Sequence, residues 1–134
     1  MSERTRVTPY LSVKGAAGAL EFYQRAFGAT VADRMTEEDG RIGHAEIRIG
    51  DARLYLADEH PEIGFLAPAT LGGSAVMIEM TVPDVDAVMR RATEAGATVA
   101  RPAGDQDYGS RSGKLVDPFG HTWMISSPIG DRSD

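Results

Sequence analysis

The sequence predicts an α+β fold in which two βαβββ modules form a curved, antiparallel-rich sheet around a concave cavity, with the helices on the outer face. Three observations predict it. The pentapeptide Gly-Ala-Thr-Val-Ala occurs at Gly28–Ala32 and again at Gly96–Ala100, about half a chain apart. Before each copy stand a short apolar run and then a helical pattern, and after each copy stands a hairpin pattern. Because the flanks repeat along with the pentapeptide, the unit being repeated is a whole supersecondary module.

The elements follow in order. Val7–Val13 and Val76–Val82 are short apolar runs of strand length. In the first helical pattern Ala16, Leu20, Tyr23 and Phe27 share one face, and in the second Val85, Val88, Ala92 and Ala95 do. Glu21, Gln24, Arg25, Arg90, Arg91 and Glu94 take the opposite, wet sides. Asp84 is placed to accept the free N–H groups of the second helix's first turn. Gly28 and Gly96 each follow the last periodic residue, where a left-handed cap suits glycine alone, so the pentapeptide reads as helix stop followed by strand. Ile42–Ile49 and Ala52–Ala57 flank the turn Gly50-Asp51, while Lys114–Asp117 and His121–Ser127 flank Pro118-Phe119-Gly120. Pro102–Gly113, rich in Gly and Asp, reads as a loop. The modules span about residues 5–58 and 75–128, and 59–74 is the linker between them.

At 134 residues the chain is one domain, 1–134, with a core too small to divide, so the two halves are expected to share a sheet system. The formal net charge of −6 and the lack of a long basic run argue against nucleic acid as a partner. There is no cysteine, which removes disulfides, thiolate nucleophiles and Cys-based zinc sites. No apolar run approaches the ~18 residues of a membrane span. The first residues (MSERTRV) lack the apolar centre of a signal peptide, so a cytoplasmic protein without membrane contact is expected.

Strand alternation sorts side chains onto two faces. Leu11, Val13, Ala45, Ile47, Ile49, Leu54, Leu56, Ile78, Met80, Val82, Trp123 and Ile125 form an apolar set that should pack under the helices. The opposite set is mixed: Thr8, Tyr10, Ser12, His44, Glu46, Arg48, Arg53, Tyr55, Met77, Glu79, Thr81, Thr122, Met124 and Ser126. Half-buried antiparallel strands often carry polar residues on a solvated face. Tyr10, Tyr55, Met77 and Met124 are large apolar-bodied residues on that face, however, and walls of this kind with a few polar groups characterise a small-molecule pocket.

Leu20–Ala29 (LEFYQRAFGA), Val82–Ala97 (VPDVDAVMRRATEAGA) and Asp117–Ser126 (DPFGHTWMIS), placed in this order within two such modules, resemble the vicinal oxygen chelate superfamily of glyoxalases, bleomycin-resistance proteins and extradiol dioxygenases. The resemblance covers nearly the whole chain. It implies the fold more strongly than the function, since that fold hosts metalloenzymes and metal-free binders alike. Enzymes of the superfamily hold a divalent metal with His and Glu from the first and last strand of each module. At those positions this chain has Thr8, Tyr55 (to within a residue), Met77 and Met124, and none supplies imidazole or carboxylate. The resemblance also implies a homodimer, formed side by side or by exchange of modules, in which each cavity takes walls from both subunits.

His44, Glu46 and Glu79 share the mixed face and make an alternative metal set for a glyoxalase- or dioxygenase-like enzyme, although His44 and Glu46 at i, i+2 are a spacing any polar strand produces. His121 alternates toward the helix side as a structural hydrogen-bonder, and His60 reads as a loop residue. No nucleophile elbow or phosphate loop is present. Arg111 and Lys114 could steer an anion or simply be solvated. The expected function is metal-independent binding of a drug or toxin, cationic or aromatic, as in bleomycin resistance, with no cofactor and no catalytic residue. Tyr10, Tyr55, Met77 and Met124 would supply contact area, and Thr8, His44, Glu46, Arg48, Arg53 and Glu79 would line the rest of the cavity.

Overall fold

The computed structural model describes residues 4–129; the first three residues of the N-terminal stretch read for a signal sequence lie outside them. The first module runs β1 (Tyr10–Val13), α1 (Ala16–Phe27), β2 (Thr30–Thr36), β3 (Ile42–Ile49) and β4 (Ala52–Asp58). The second repeats it as β5 (Met77–Thr81), α3 (Val85–Ala95), β6 (Thr98–Asp105), β7 (Ser110–Val116) and β8 (Thr122–Pro128). The predicted βαβββ pattern is thus present twice. In each sheet the first strand pairs in parallel with the last and the other pairings are antiparallel, giving the orders β1-β4-β3-β2 and β5-β8-β7-β6.

The helices begin and end for local reasons. Asp84 accepts the Ala87 N–H at 3.1 Å and caps α3. The start of α1 has Gly15 instead, with φ 90°, and its free N–H groups are taken by a distant residue: Asp58 Oδ1 accepts from Gly15 and Ala16 at 2.9 and 2.8 Å. The same carboxylate accepts the Ile42 N–H through Oδ2, tying β3, β4 and α1 together. Gly28 closes α1 in the left-handed region with φ 71°.

Two expectations are corrected. The halves share a core but not a sheet: each sheet has four strands, and the two do not close into one. A single buried cluster gathers Leu20 and Tyr23 of α1, Met89 and Ala92 of α3, Ile47 and Leu56 of the first sheet, and Leu115, Trp123 and Ile125 of the second. The second correction concerns Pro102–Gly113, which is mostly strand, with only the turn around residues 106–109 between β6 and β7. The ladder there shifts register between Val99 and Arg101 and again before Gly104, and these irregularities break the alternation that would have betrayed a strand. The linker also carries structure: a 3₁₀ turn at Pro61–Ile63 and the short helix α2 at Pro68–Leu71. Among the described residues no helix is long and apolar enough to cross a membrane.

A polar knot fastens the modules. Asp117, 3% exposed, accepts hydrogen bonds from the Tyr23 hydroxyl, from Trp123 Nε1 at 2.9 Å, and from the Phe119 and His121 N–H groups at 2.9 and 3.0 Å. His121, buried as expected, places Nε2 2.9 Å from the Ser12 carbonyl oxygen of β1. Burial, reinforced by the Asp117 charge, raises the Tyr23 phenol well above its ordinary value of 10.0. A phenol whose pKa is raised in the folded state favours folding fully below its unfolded pKa, and that contribution drains away as pH climbs toward the folded value. Stability is therefore expected to fall above about pH 10. Urea midpoints at pH 8 and pH 10.5 should separate for the wild type and converge for Tyr23→Phe; equal slopes with pH in both proteins would refute the assignment.

Candidate functional site

With their apolar faces on the common core, the sheets turn their mixed faces away from it as two separate concave surfaces. Register defines each surface as rows of side chains. On the first sheet Tyr10 lies beside Tyr55, Tyr55 beside Glu46, and Glu46 beside Asp33. On the second Glu79 lies beside Met124, Met124 beside Lys114, and Lys114 beside Arg101. The rows are equivalent in the duplicated plan but differ in chemistry: the first is aromatic at its inner edge, the second cationic at its outer edge.

The first surface is an aromatic cup. Tyr10 meets His44, Tyr55 and Phe65 edge-on, with ring centroids 5.5, 5.4 and 5.4 Å apart, and His44 meets Tyr55 at 4.9 Å. The Tyr10 hydroxyl and His44 Nδ1 are 2.7 Å apart. Partial burial, then the nearby Tyr55, raises the Tyr10 phenol above its ordinary value, so its proton is retained at neutral pH. Phe65 belongs to the linker, and a tight loop delivers it: His60 N–H donates to the Phe65 carbonyl at 2.7 Å and Phe65 N–H returns the bond at 3.2 Å. The Ser12 hydroxyl reaches the Phe65 carbonyl at 3.5 Å.

Between this loop and the sheet lies a cavity of about 460 Å³, walled by Tyr10, Ile42, Ala57, Ile63 and Phe65 and rimmed by Glu37, Arg41, Asp58 and His60. Its polar groups are not equivalent. Asp58 is occupied by three backbone N–H groups, Arg41 pairs with Asp39 at 3.0 Å, and His60 Nε2 lies 3.5 Å from Glu62. The Glu37 carboxylate has no hydrogen bond or ion pair among the described residues, which makes it the rim's uncommitted charge.

The remaining predicted positions divide between the two surfaces. Glu46 accepts from Arg48 at 3.3 Å and from Arg53 at 3.1 Å, a half-exposed triad beside Tyr55. Thr8 lies ahead of Pro9, just outside β1, in a shallow depression with Arg4, Arg6 and Tyr55. Met77, Glu79 and Met124 belong to the second sheet, where Glu79 accepts from the Ser126 hydroxyl and, at 3.2 Å, from Thr81. His44 and Glu46 are therefore on one surface and Glu79 on the other, and among the described residues no three His, Cys, Asp or Glu are gathered as a metal would require. Arg111 is committed to Asp86 at 2.9 Å and Asp105 at 3.1 Å, so of these two cations only Lys114 has no ion-pair partner among the described residues. The sequence reading missed Phe65 and Glu37, because a linker and a hairpin end have no periodicity to place them; the one available signal was an isolated aromatic in a Pro- and Gly-rich stretch.

Comparison with known proteins agrees with this architecture. The family model described as Glyoxalase/Bleomycin resistance protein/Dioxygenase superfamily matches residues 6–125. An uncharacterized protein of Mycobacterium tuberculosis is 41% identical over 126 residues, covering 92% of this chain and 74% of that one. Among solved structures, TioX from Micromonospora sp. ML1 superposes with a TM-score of 0.71 at 24% identity, covering 92% of this chain and 95% of its own. The fosfomycin resistance protein FosX from Listeria monocytogenes gives 0.73 at 14% identity, covering 95% of each chain.

Proposed function

Since the chain belongs to the glyoxalase, bleomycin resistance protein and dioxygenase superfamily, we propose that it is a metal-independent binding protein for a small aromatic cation, a drug or toxin that it sequesters on the first sheet. The observation that carries this reading is the cavity of about 460 Å³, which is within the usual range for a small-molecule site. Its walls are apolar and aromatic, and its rim holds one uncommitted carboxylate. Ring edges and faces from Tyr10 and Phe65 favour a flat, positively charged guest, and Glu37 supplies the counter-charge. Calorimetric titration with planar cationic compounds tests the reading. Saturable binding that is absent for neutral analogues of the same shape is expected, and no heat from any such compound would overturn it.

The binding unit is a homodimer in this reading. Tyr10, Ile63, Leu71, Val76 and Met77 are all exposed, Val76 by 68% and Ile63 by 72%, and large apolar side chains left open to water favour a partner that covers them. A second copy covering them would also complete each cup. Sedimentation at micromolar concentration should give the dimer mass, whereas a monomer would remove the subunit pairing without touching the cavity itself.

A further inference from the structure

The outer edge of the second sheet holds a cluster that the aromatic cavity does not use. Arg101 of β6 and Lys114 of β7 are register partners, so their side chains rise from the same face at adjacent positions. Two like charges placed opposite each other destabilise a strand pair unless something neutralises them. Among the described residues neither has a carboxylate within ion-pairing reach, in contrast to Arg41, Arg48, Arg53 and Arg111, each of which has at least one. The backbone of Glu79, on the same face, is three strands away from that of Arg101, roughly 14 Å at the usual spacing, and the Glu79 carboxylate is engaged with Ser126 and Thr81.

Hydroxyls converge on the same point. Arg101 Nη2 donates to the buried Ser112 hydroxyl, and the Tyr108 hydroxyl lies 3.2 Å from that same oxygen. Arg101 Nε, shut off from solvent, has no hydrogen-bond acceptor among the described residues. A buried N–H without an acceptor is costly, and more so on a charged group. The Nε and Nη2 edge of a guanidinium is the part that meets an oxyanion with two parallel bonds. Tyr108, whose hydroxyl reaches this group, is 60% exposed and sits on the turn between β6 and β7 beside Gly109, so it can yield to a ligand.

We propose that Arg101, Lys114, Ser112 and Tyr108 form a second ligand site that binds the oxyanion group of a small molecule. The site goes beyond the reading of the aromatic cup: it lies on the other sheet, takes the opposite charge, and stands or falls independently of cation binding. Arg101 supplies paired N–H donors, Lys114 a point charge, and Tyr108 a hydroxyl whose proton is held loosely, since its bonds to Ser112 and Arg101 and the two cations lower its pKa below 10.0.

Titration of the full chain with inorganic phosphate and, separately, with acetate, at constant ionic strength set with chloride, tests the site. Saturable binding of one of them is expected, and which one binds separates a phosphoryl-type group from a carboxylate. Lys114→Met, a substitution at a half-buried surface position, should weaken it at least ~10-fold. A second readout needs no variant in the ligand-bound protein: ultraviolet absorbance follows phenol ionisation, with Tyr108→Phe identifying the Tyr108 component. A bound anion offsets the Arg101 and Lys114 charges, so the Tyr108 ionisation should move to higher pH. Heats that match the chloride control for both anions, together with an unmoved Tyr108 ionisation, would overturn the proposal.

Discussion

Replacing Asp117 with alanine is expected to lower the free energy of unfolding by about 3–5 kcal/mol. The carboxylate is 3% exposed and serves four donors. Alanine would strand the Tyr23 hydroxyl, the Trp123 indole N–H and two backbone N–H groups away from water at once, and each unsatisfied donor carries its own desolvation cost. Against a total of about 5–15 kcal/mol for a domain of this kind, that is a third or more of the stability. Asp117→Asn keeps the acceptor oxygen but replaces the other with a donor facing donors, so an intermediate loss is expected. Urea unfolding followed by Trp123 fluorescence measures both. A shift below ~1 kcal/mol for the alanine variant would mean that water takes over the carboxylate's role.

Tyr10→Ala is expected to behave in the opposite way, costing binding and sparing the fold. Tyr10 is 46% exposed, and its removal should change stability by less than ~1 kcal/mol. It is also the ring that touches His44, Tyr55 and Phe65 together. Without it the cup loses its central wall, and affinity for a planar cation should drop by ~30-fold or more, the loss expected of an aromatic anchor at the centre of a binding site. Tyr10→Phe keeps the ring and removes only the contact with His44 Nδ1, so it should retain most of the affinity. Calorimetry on the three proteins checks the order. Wild-type affinity in the alanine variant would place the ligand elsewhere.

How much of this was legible in the sequence depends on how local each signal is. The modules, both long helices and the alternation that puts Tyr10, His44 and Tyr55 on one face are local: glycine stops, a period near 3.6 and a period of 2 suffice. What alternation cannot supply is the relation between faces. Met77, Glu79 and Met124 satisfied the same rule as Tyr10 and Tyr55, but they stand on another sheet. Arg101 escaped because its strand is doubly irregular and runs through Pro102 and Gly104, residues that ordinarily mark loops. Asp117 stood beside a turn that the sequence shows, yet its role depends on Tyr23, 94 residues earlier. Phe65 depends on a His60–Phe65 loop closure that no periodic pattern announces.

The placement of α1 against Trp123 has a consequence for how the chain is made. Tyr23 and Phe27 meet the Trp123 ring with centroids 5.6 and 4.7 Å apart. Translation adds about 5–20 residues per second, so the aromatic side of α1 emerges several seconds before its cover has been synthesised. Until Trp123 has been made, the aromatic side of α1 lacks the ring that covers it in the folded protein, whatever the completeness of the first sheet.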